Sequence, residues 1–228
     1  MTFNSKIMIA LGASATIATA ATADMTGIVH QDVYSVSAGD FAGQPDFTGT
    51  VVDLWMEFDD INDVLLNVYN FNDVNLGTTY YQSFTGTGWL PNNLGAPFET
   101  EALKFADSFV SIGGDGGAQM PANGTGLDPS FGGNNAAGPG ENAGWYNSDP
   151  NSPIGAVVET DVTSTGLGVF IGRFSINDGT IDMEGGTGSA TWNQGVGTDG
   201  QQAGFVIVPA PGAIALLGLA GLAGRRRR

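Results

Sequence analysis

The feature that most constrains this chain is a period of two that keeps returning along it. Alternating or β-branched runs recur at Asp32–Ser37, Thr50–Phe58, Val64–Asn70, Thr78–Tyr81, Asp107–Ile112, Gly155–Val158, Gly168–Ile176 and Gly188–Trp192. Each is closed off by Gly, Asn, Asp or Pro, the residues that end strands and shape turns. Within Thr50–Phe58, side chains 52, 54, 56 and 58 are Val, Leu, Met and Phe, whereas Val51, Asp53, Trp55 and Glu57 fall on the other side. One face therefore suits a core and the other a half-wet surface. Helical spacing is confined to Phe98–Asp107, behind an Ala96-Pro97 start. A solenoid would need a fixed repeat of roughly 20–30 residues, and the chain has none. The pattern predicts an all-β fold, an antiparallel β-sandwich of about seven to ten short strands.

Composition sharpens this. Gly supplies 36 of 228 residues, well above the usual ~7%. It is densest in Gly113–Pro153, which holds eleven Gly, five Pro and six Asn. A stretch of that length inside a compact domain reads as one long Gly/Asn/Pro-rich loop, and such loops are often binding elements. Its aromatics, Phe131, Trp145 and Tyr146, are the contact candidates for a sugar ring or a partner, with pinning of the loop to the domain as the plainer role.

Charge excludes several functions. All 23 acidic residues lie between Asp24 and Asp199, and only Lys104 and Arg173 are basic in that stretch, so the body carries −21. Nucleic acid is not an expected partner of such a surface. The absence of Cys removes disulfides, thiol nucleophiles and cysteine metal sites, and a single His removes a multi-histidine centre. That residue, His30, lies near the start of the body and reads as a surface or strand-edge side chain rather than the base of a triad. The phosphate-binding Gly-Lys-Ser/Thr is missing, and Gly166–Gly172 lies inside a strand-like run.

Two chemistries stay open. Calcium wants several oxygen ligands at turns, and Asp59, Asp60, Asn62 and Asp63 are the candidate set, with Asn70–Asp73 a second cluster and Asp178–Asp182 a third, weaker one. None has EF-hand spacing, and turn formation accounts for the same residues. Paired carboxylates would support glycoside hydrolysis, but none of the glutamates Glu57, Glu99, Glu101, Glu141, Glu159 and Glu184 sits in a recognisable catalytic pattern. No catalytic residue is assigned, and no resident cofactor is expected apart from that calcium option.

Both ends read as addresses. Lys6 precedes an apolar stretch, Ile7–Ala15, and then Ala18-Thr19-Ala20 and Ala21-Thr22-Ala23. This is the pattern of a secretory signal peptide over residues 1–23, with signal peptidase accepting Ala21 and Ala23 and cutting before Asp24. At the other end, Val208-Pro209-Ala210-Pro211-Gly212 leads into an apolar segment reaching Ala223, then Gly224 and Arg225, Arg226, Arg227 and Arg228. An arginine cluster after a short apolar helix acts as a membrane stop and stays on the cytoplasmic side. The domain between the two ends is expected to span 24–207, and the tail 208–228.

The order of Pro-containing motif, apolar helix and terminal arginines resembles the PEP-CTERM sorting signal. Ala210 stands where that family carries Glu. The resemblance implies recognition by an exosortase-like membrane transpeptidase, transient anchoring through the C-terminal helix, and a body delivered to the cell envelope or outside the cell. It also implies an association with exopolysaccharide. The expected function is therefore that of an exported cell-surface or matrix β-domain with no catalytic activity of its own, the alternative being a secreted carboxylate-dependent glycan hydrolase.

Overall fold

The computed structural model describes residues 24–39, 46–83, 88–91, 100–117, 120–149, 151–195 and 197–211. The signal peptide with Ala21 and Ala23, Gly212, and Arg225–Arg228 lie outside the described residues.

The all-β fold is present. Ten strands build it: β1 (Met25–Ala38), β2 (Phe47–Phe58), β3 (Val64–Asn72), β4 (Phe109–Val110), β5 (Thr125–Leu127), β6 (Ala143–Asn147), β7 (Val158–Glu159), β8 (Leu167–Asn177), β9 (Thr187–Asn193) and β10 (Gln201–Pro209). A short helix, α1 (Glu101–Ala106), is capped by the Thr100 side chain, which accepts from Leu103 N. The strands form a single sheet in the order β4-β8-β2-β1-β10-β9-β3-β6-β5, with β7 beside β8. The two facing walls of the expected sandwich are thus joined by one unbroken ladder, curled into a nearly closed barrel. Its pairings are antiparallel except that of the first and last strands, β1 and β10, which run parallel from Ile28↔Val206 to Gln31↔Pro209.

The inside of the curl is filled by aromatics. Phe71 stacks on Phe174 at 5.9 Å and meets Trp145 edge-on at 5.3 Å, while Trp89 touches Tyr80, Phe131 and Phe174. Such pairs favour offset and edge-to-face arrangements, so they fix orientation as well as bury area. Val52, Leu54, Met56 and Phe58 of β2 all face this core.

The opposite face of β2 departs from the half-wet expectation, because it too is buried. Leu103 and Ala106 of α1 cover Val51, Phe47 and Val36, while Phe109, Met120 and Phe170 cover Trp55. β8 serves both faces because a bulge resets its alternation. Leu54 pairs with Gly172 but Trp55 with Phe170, so Ile171 is the extra residue. Val169, Ile171 and Phe174 then point into the main core, and Phe170 into the second.

The Gly113–Pro153 segment is also more ordered than a single loop. It contains β5, β6 and two 3-10 turns, Pro129–Phe131 and, starting at its end, Pro153–Gly155. Side chains close the gap between the two edges of the sheet. Beyond β4, Ile112 N donates to Thr125 Oγ1 at 3.0 Å and Trp145 Nε1 donates to Ser111 O at 3.0 Å. Asn123 Nδ2 adds bonds to Ser111 Oγ and Ile112 O. Buried main-chain groups require partners, and here they find them without a further strand.

Replacing Thr125 by the near-isosteric Val removes the acceptor of a buried N–H. Thr125→Val is expected to destabilise by about 1–3 kcal/mol, a fall in melting temperature of roughly 2–10 °C for a domain of this size. Thermal unfolding followed by circular dichroism checks it.

Candidate functional site

The strand register places a row of functional side chains across the second face. Asp32 on β1 is opposite Asp53 on β2, and Asp53 is opposite Arg173 on β8. Arg173 is fully buried. Its Nε donates to Asp53 Oδ1 at 2.7 Å and its Nη2 to Asp53 Oδ2 at 2.8 Å, a two-pronged pair. Nη1 donates to Gly117 O at 3.1 Å, and Nη2 also donates to Gly116 O. The rings of Phe105 and Phe109 lie 5.4 and 5.5 Å from the guanidinium carbon. Burial works against the charge on Arg173, but Asp53 beside it outweighs this and raises its pKa. Burial pushes the Asp53 carboxyl above its ordinary value, with the guanidinium pulling the other way.

Holding Gly116 and Gly117 makes one wall of a cleft of about 600 Å³. Asp32, Asp53, Asp115, Glu159 and Asp161 contribute carboxylates to it, Trp55 lies within it, and Ile154, Val158 and Val162 supply apolar surface. Partial burial raises the pKa of Asp32, and the nearby negative charge of Asp161 raises it further. Only one of the five acids is neutralised by a buried base, so the cleft draws cations and repels anions. Carboxylates also suit polyhydroxylated ligands, which donate hydrogen bonds to them.

A second buried pair lies on β1 and β2. His30 and Glu57 are 2% and 3% exposed, which corrects the expectation of a surface histidine: β10 and the 163–165 segment cover it. His30 Nε2 is 2.9 Å from Glu57 Oε2, and Nδ1 is 3.3 Å from Pro209 O. Each ring nitrogen thus faces an oxygen. Glu57 Oε2 further accepts from Ser164 N at 2.5 Å and Thr165 N at 3.3 Å. Burial opposes ionisation of Glu57, but the Ser164 N–H, the His30 ring and the Thr26 hydroxyl outweigh it and hold its pKa below the usual value.

The contact candidates separate. Phe131 and Trp145 have no exposed surface and pack against each other and against Trp89 and Phe71 in the core. Neither reaches a ligand, because the segment they belong to folds into the barrel wall. Tyr146, the next residue along β6, is 41% exposed, as strand alternation requires.

The calcium candidates occupy the β2–β3 turn. Asp60 Oδ1 accepts from Asn62 N and Nδ2 at 2.9 and 2.8 Å, which is turn chemistry. Asp59 Oδ1 accepts from Asp24 N at 2.6 Å, and Asp63 is fully buried. Among the described residues no group of three His, Cys, Asp or Glu side chains is set to hold a metal ion.

Of the tail motif, Val208 and Pro209 are the last residues of β10, and Ala210 N donates to Gln31 O at 3.0 Å. The ordered sheet therefore runs two residues past the expected boundary at 207, with Pro211 following. Among the described residues no helix is long and apolar enough to cross a membrane.

Sequence reasoning did not assemble the cleft, because its acids come from β1, β2, β7 and two separate loops that only the fold brings together. Arg173 carried a usable signal: one of two bases in the body, set inside an apolar strand. No family model, curated protein or solved structure matches this chain.

Two predictions follow from these pairs. Arg173→Met leaves Asp53 buried without its partner and should cost about 3–5 kcal/mol, while adding Asp53→Leu should recover most of that loss; chemical denaturation measures both. A carboxyl with a depressed folded pKa contributes stability that is present above its unfolded value, here 4.5, and is lost as pH falls through the folded one. Glu57→Gln should therefore flatten the acid limb of a stability-against-pH curve below about pH 4.5, leaving the neutral region with a constant offset.

Proposed function

We propose that this chain is an exported cell-surface or extracellular-matrix protein whose β-barrel body does its work after both ends have served as addresses. Signal peptidase removes the first segment, and an exosortase-like transpeptidase acts on the tail, which holds the protein in the membrane until then. The body has no catalytic activity of its own. Its acidic cleft is the contact surface, and its charge favours neutral or amino-bearing glycans of an exopolysaccharide over uronic or sulfated ones.

The observation that carries this reading is where the sheet begins and ends. β1 starts at Met25, one residue beyond the Asp24 that would follow the cut, and β10 ends at Pro209, inside the motif. The strands and core residues described all lie between those points. A cut before Asp24 and a cut beyond Pro209 therefore leave every described strand intact.

The hydrolase reading keeps one specific support. Glycoside hydrolysis needs one carboxyl held protonated beside one that is ionised, and Asp32, with its raised pKa beside Asp161, is the pair the cleft offers.

Intact-mass analysis of the protein recovered from its producing cells tests the first reading. A mature form beginning at Asp24 and lacking Arg225–Arg228 is expected, and a chain still carrying both ends contradicts it. Incubation of that form with neutral exopolysaccharide should give binding without new reducing ends. Release of reducing ends that Asp161→Asn abolishes would favour the hydrolase.

A further inference from the structure

Asp63 is the acidic residue among those described whose two carboxylate oxygens are both buried without a hydrogen-bond partner. It has no exposed surface, and its backbone is fixed on both sides by Asp63 N donating to Asp60 O and Val157 N donating to Asp63 O. Leaving a carboxylate in that state is costly unless a counter-charge is supplied. The charged groups facing it are all acids: Asp24 at the start of β1, and Asp59 and Asp60 in the turn. Burial, then these three, push the Asp63 carboxyl up to about 7. The stretch packed on its other side, Ala156–Val157, carries no charge. The bases of the described body are engaged elsewhere, Lys104 with Glu101, Arg173 with Asp53, and His30 with Glu57.

One nitrogen is already in place. The backbone N of Asp24 lies 2.6 Å from Asp59 Oδ1. In the uncut chain it is a peptide N–H. Hydrolysis after Ala23 breaks the bond between the Ala23 carbonyl carbon and this nitrogen. The oxygen of water goes to Ala23, which leaves as a carboxylate, and the nitrogen gains two protons to become an ammonium with three donors.

We propose that removal of the signal peptide completes the fold: the new α-ammonium of Asp24 is the built-in counter-ion of the turn formed by Asp24, Asp59, Asp60 and Asp63. The proposal rests on the export reading above and goes beyond it, making the cut a structural event rather than only a release. Before cleavage the turn holds an uncompensated buried acid; afterwards the chain itself provides the positive charge and no external ion is required.

The test uses the full chain expressed with its signal peptide in an exporting host, and a variant with one Gly inserted between Ala23 and Asp24. Mass analysis first establishes the N-terminus. The α-amine is then labelled by reductive ¹³C-methylation and titrated by NMR, folded and in urea. The expected result is that the folded protein holds the amine proton at least tenfold more tightly than the unfolded chain, a pKa at least about one unit above the ordinary 7.7–8.0, and that Asp59→Asn reduces the difference. The Gly-inserted form should titrate normally. It should also lose thermal stability as pH rises from about 4 to about 7, because an acid with a raised folded pKa contributes stability that is fully present below its unfolded value, here 3.8, and is gone once the folded group has ionised without a partner.

An ordinary amine pKa in folded protein that begins at Asp24 overturns the proposal and leaves export standing. An N-terminus still at Met1 overturns the export reading and this proposal with it, whereas cleavage at another position overturns this proposal alone. A calcium-dependent rise in melting temperature, equal in the two forms, would assign the turn to a metal ion and also overturn it. If the Gly-inserted form does not fold, the value measured in the uninserted protein decides alone.

Discussion

A single buried guanidinium organises the face of β2 and β8 that lies opposite the main core. Arg173 takes both oxygens of Asp53, two main-chain carbonyls of the 116–117 turn, and the faces of two phenylalanines. A charge with no exposed surface survives only when every donor has somewhere to go, and those destinations define the local structure. β2 and β8 are tied side to side, the turn is pulled down onto the sheet, and the gap left beyond it is the cleft. In a body with 23 acids and so few bases, spending one of the bases inside the protein leaves the outer surface almost wholly negative.

The remainder of the fold follows from continuity of one sheet. Because the first and last strands pair in parallel at its centre, the body cannot be opened at either end without breaking the middle of the ladder. The edges of the sheet lie at the opposite seam, where β4 and β5 are only two and three residues long. Short edges closed by side chains limit strand-to-strand association. This suits a protein whose proposed place is a crowded surface or matrix. The same geometry gives the two ends different characters, one beside the unpaired carboxylate of Asp63 and the other clamped through Pro209 to His30 and Gln31.

How much of this was legible depends on how far each element declares its own period. β2, β3 and β9 are rich in β-branched and apolar residues, and the strand-like runs found there coincide with them. Asn177–Gly179 is a turn, with Asp178 at φ 55°. β5 and β6 escaped because glycine and asparagine hide the period of two, and because partners distant in sequence, not propensity, hold them extended. β10 escaped because its last two residues, Val208 and Pro209, also open the Pro-containing tail motif. In the other direction, Thr78–Tyr81 has strand-like composition, but its main chain bonds singly to Ala137 and Ser175 rather than joining a ladder. The cleft was the least legible part. Asp32, Asp53 and Arg173 are neighbours only once the register is known, and Asp161 arrives from a loop. What the sequence did contain was the scarcity of positive charge, which makes any base inside an apolar run a structural suspect.

The central claim is that the ten strands are one cooperative unit, not a small sheet carrying a long glycine-rich loop. Native-state amide hydrogen exchange tests this most directly, since it separates local openings from global unfolding. The account predicts that the amides of Val169–Ser175 on β8, together with those of β2 and of β6, exchange only through global unfolding. If instead β5 and β6, with the 113–153 segment, opened at a much lower free energy than β2 and β8, the single-unit account would be contradicted.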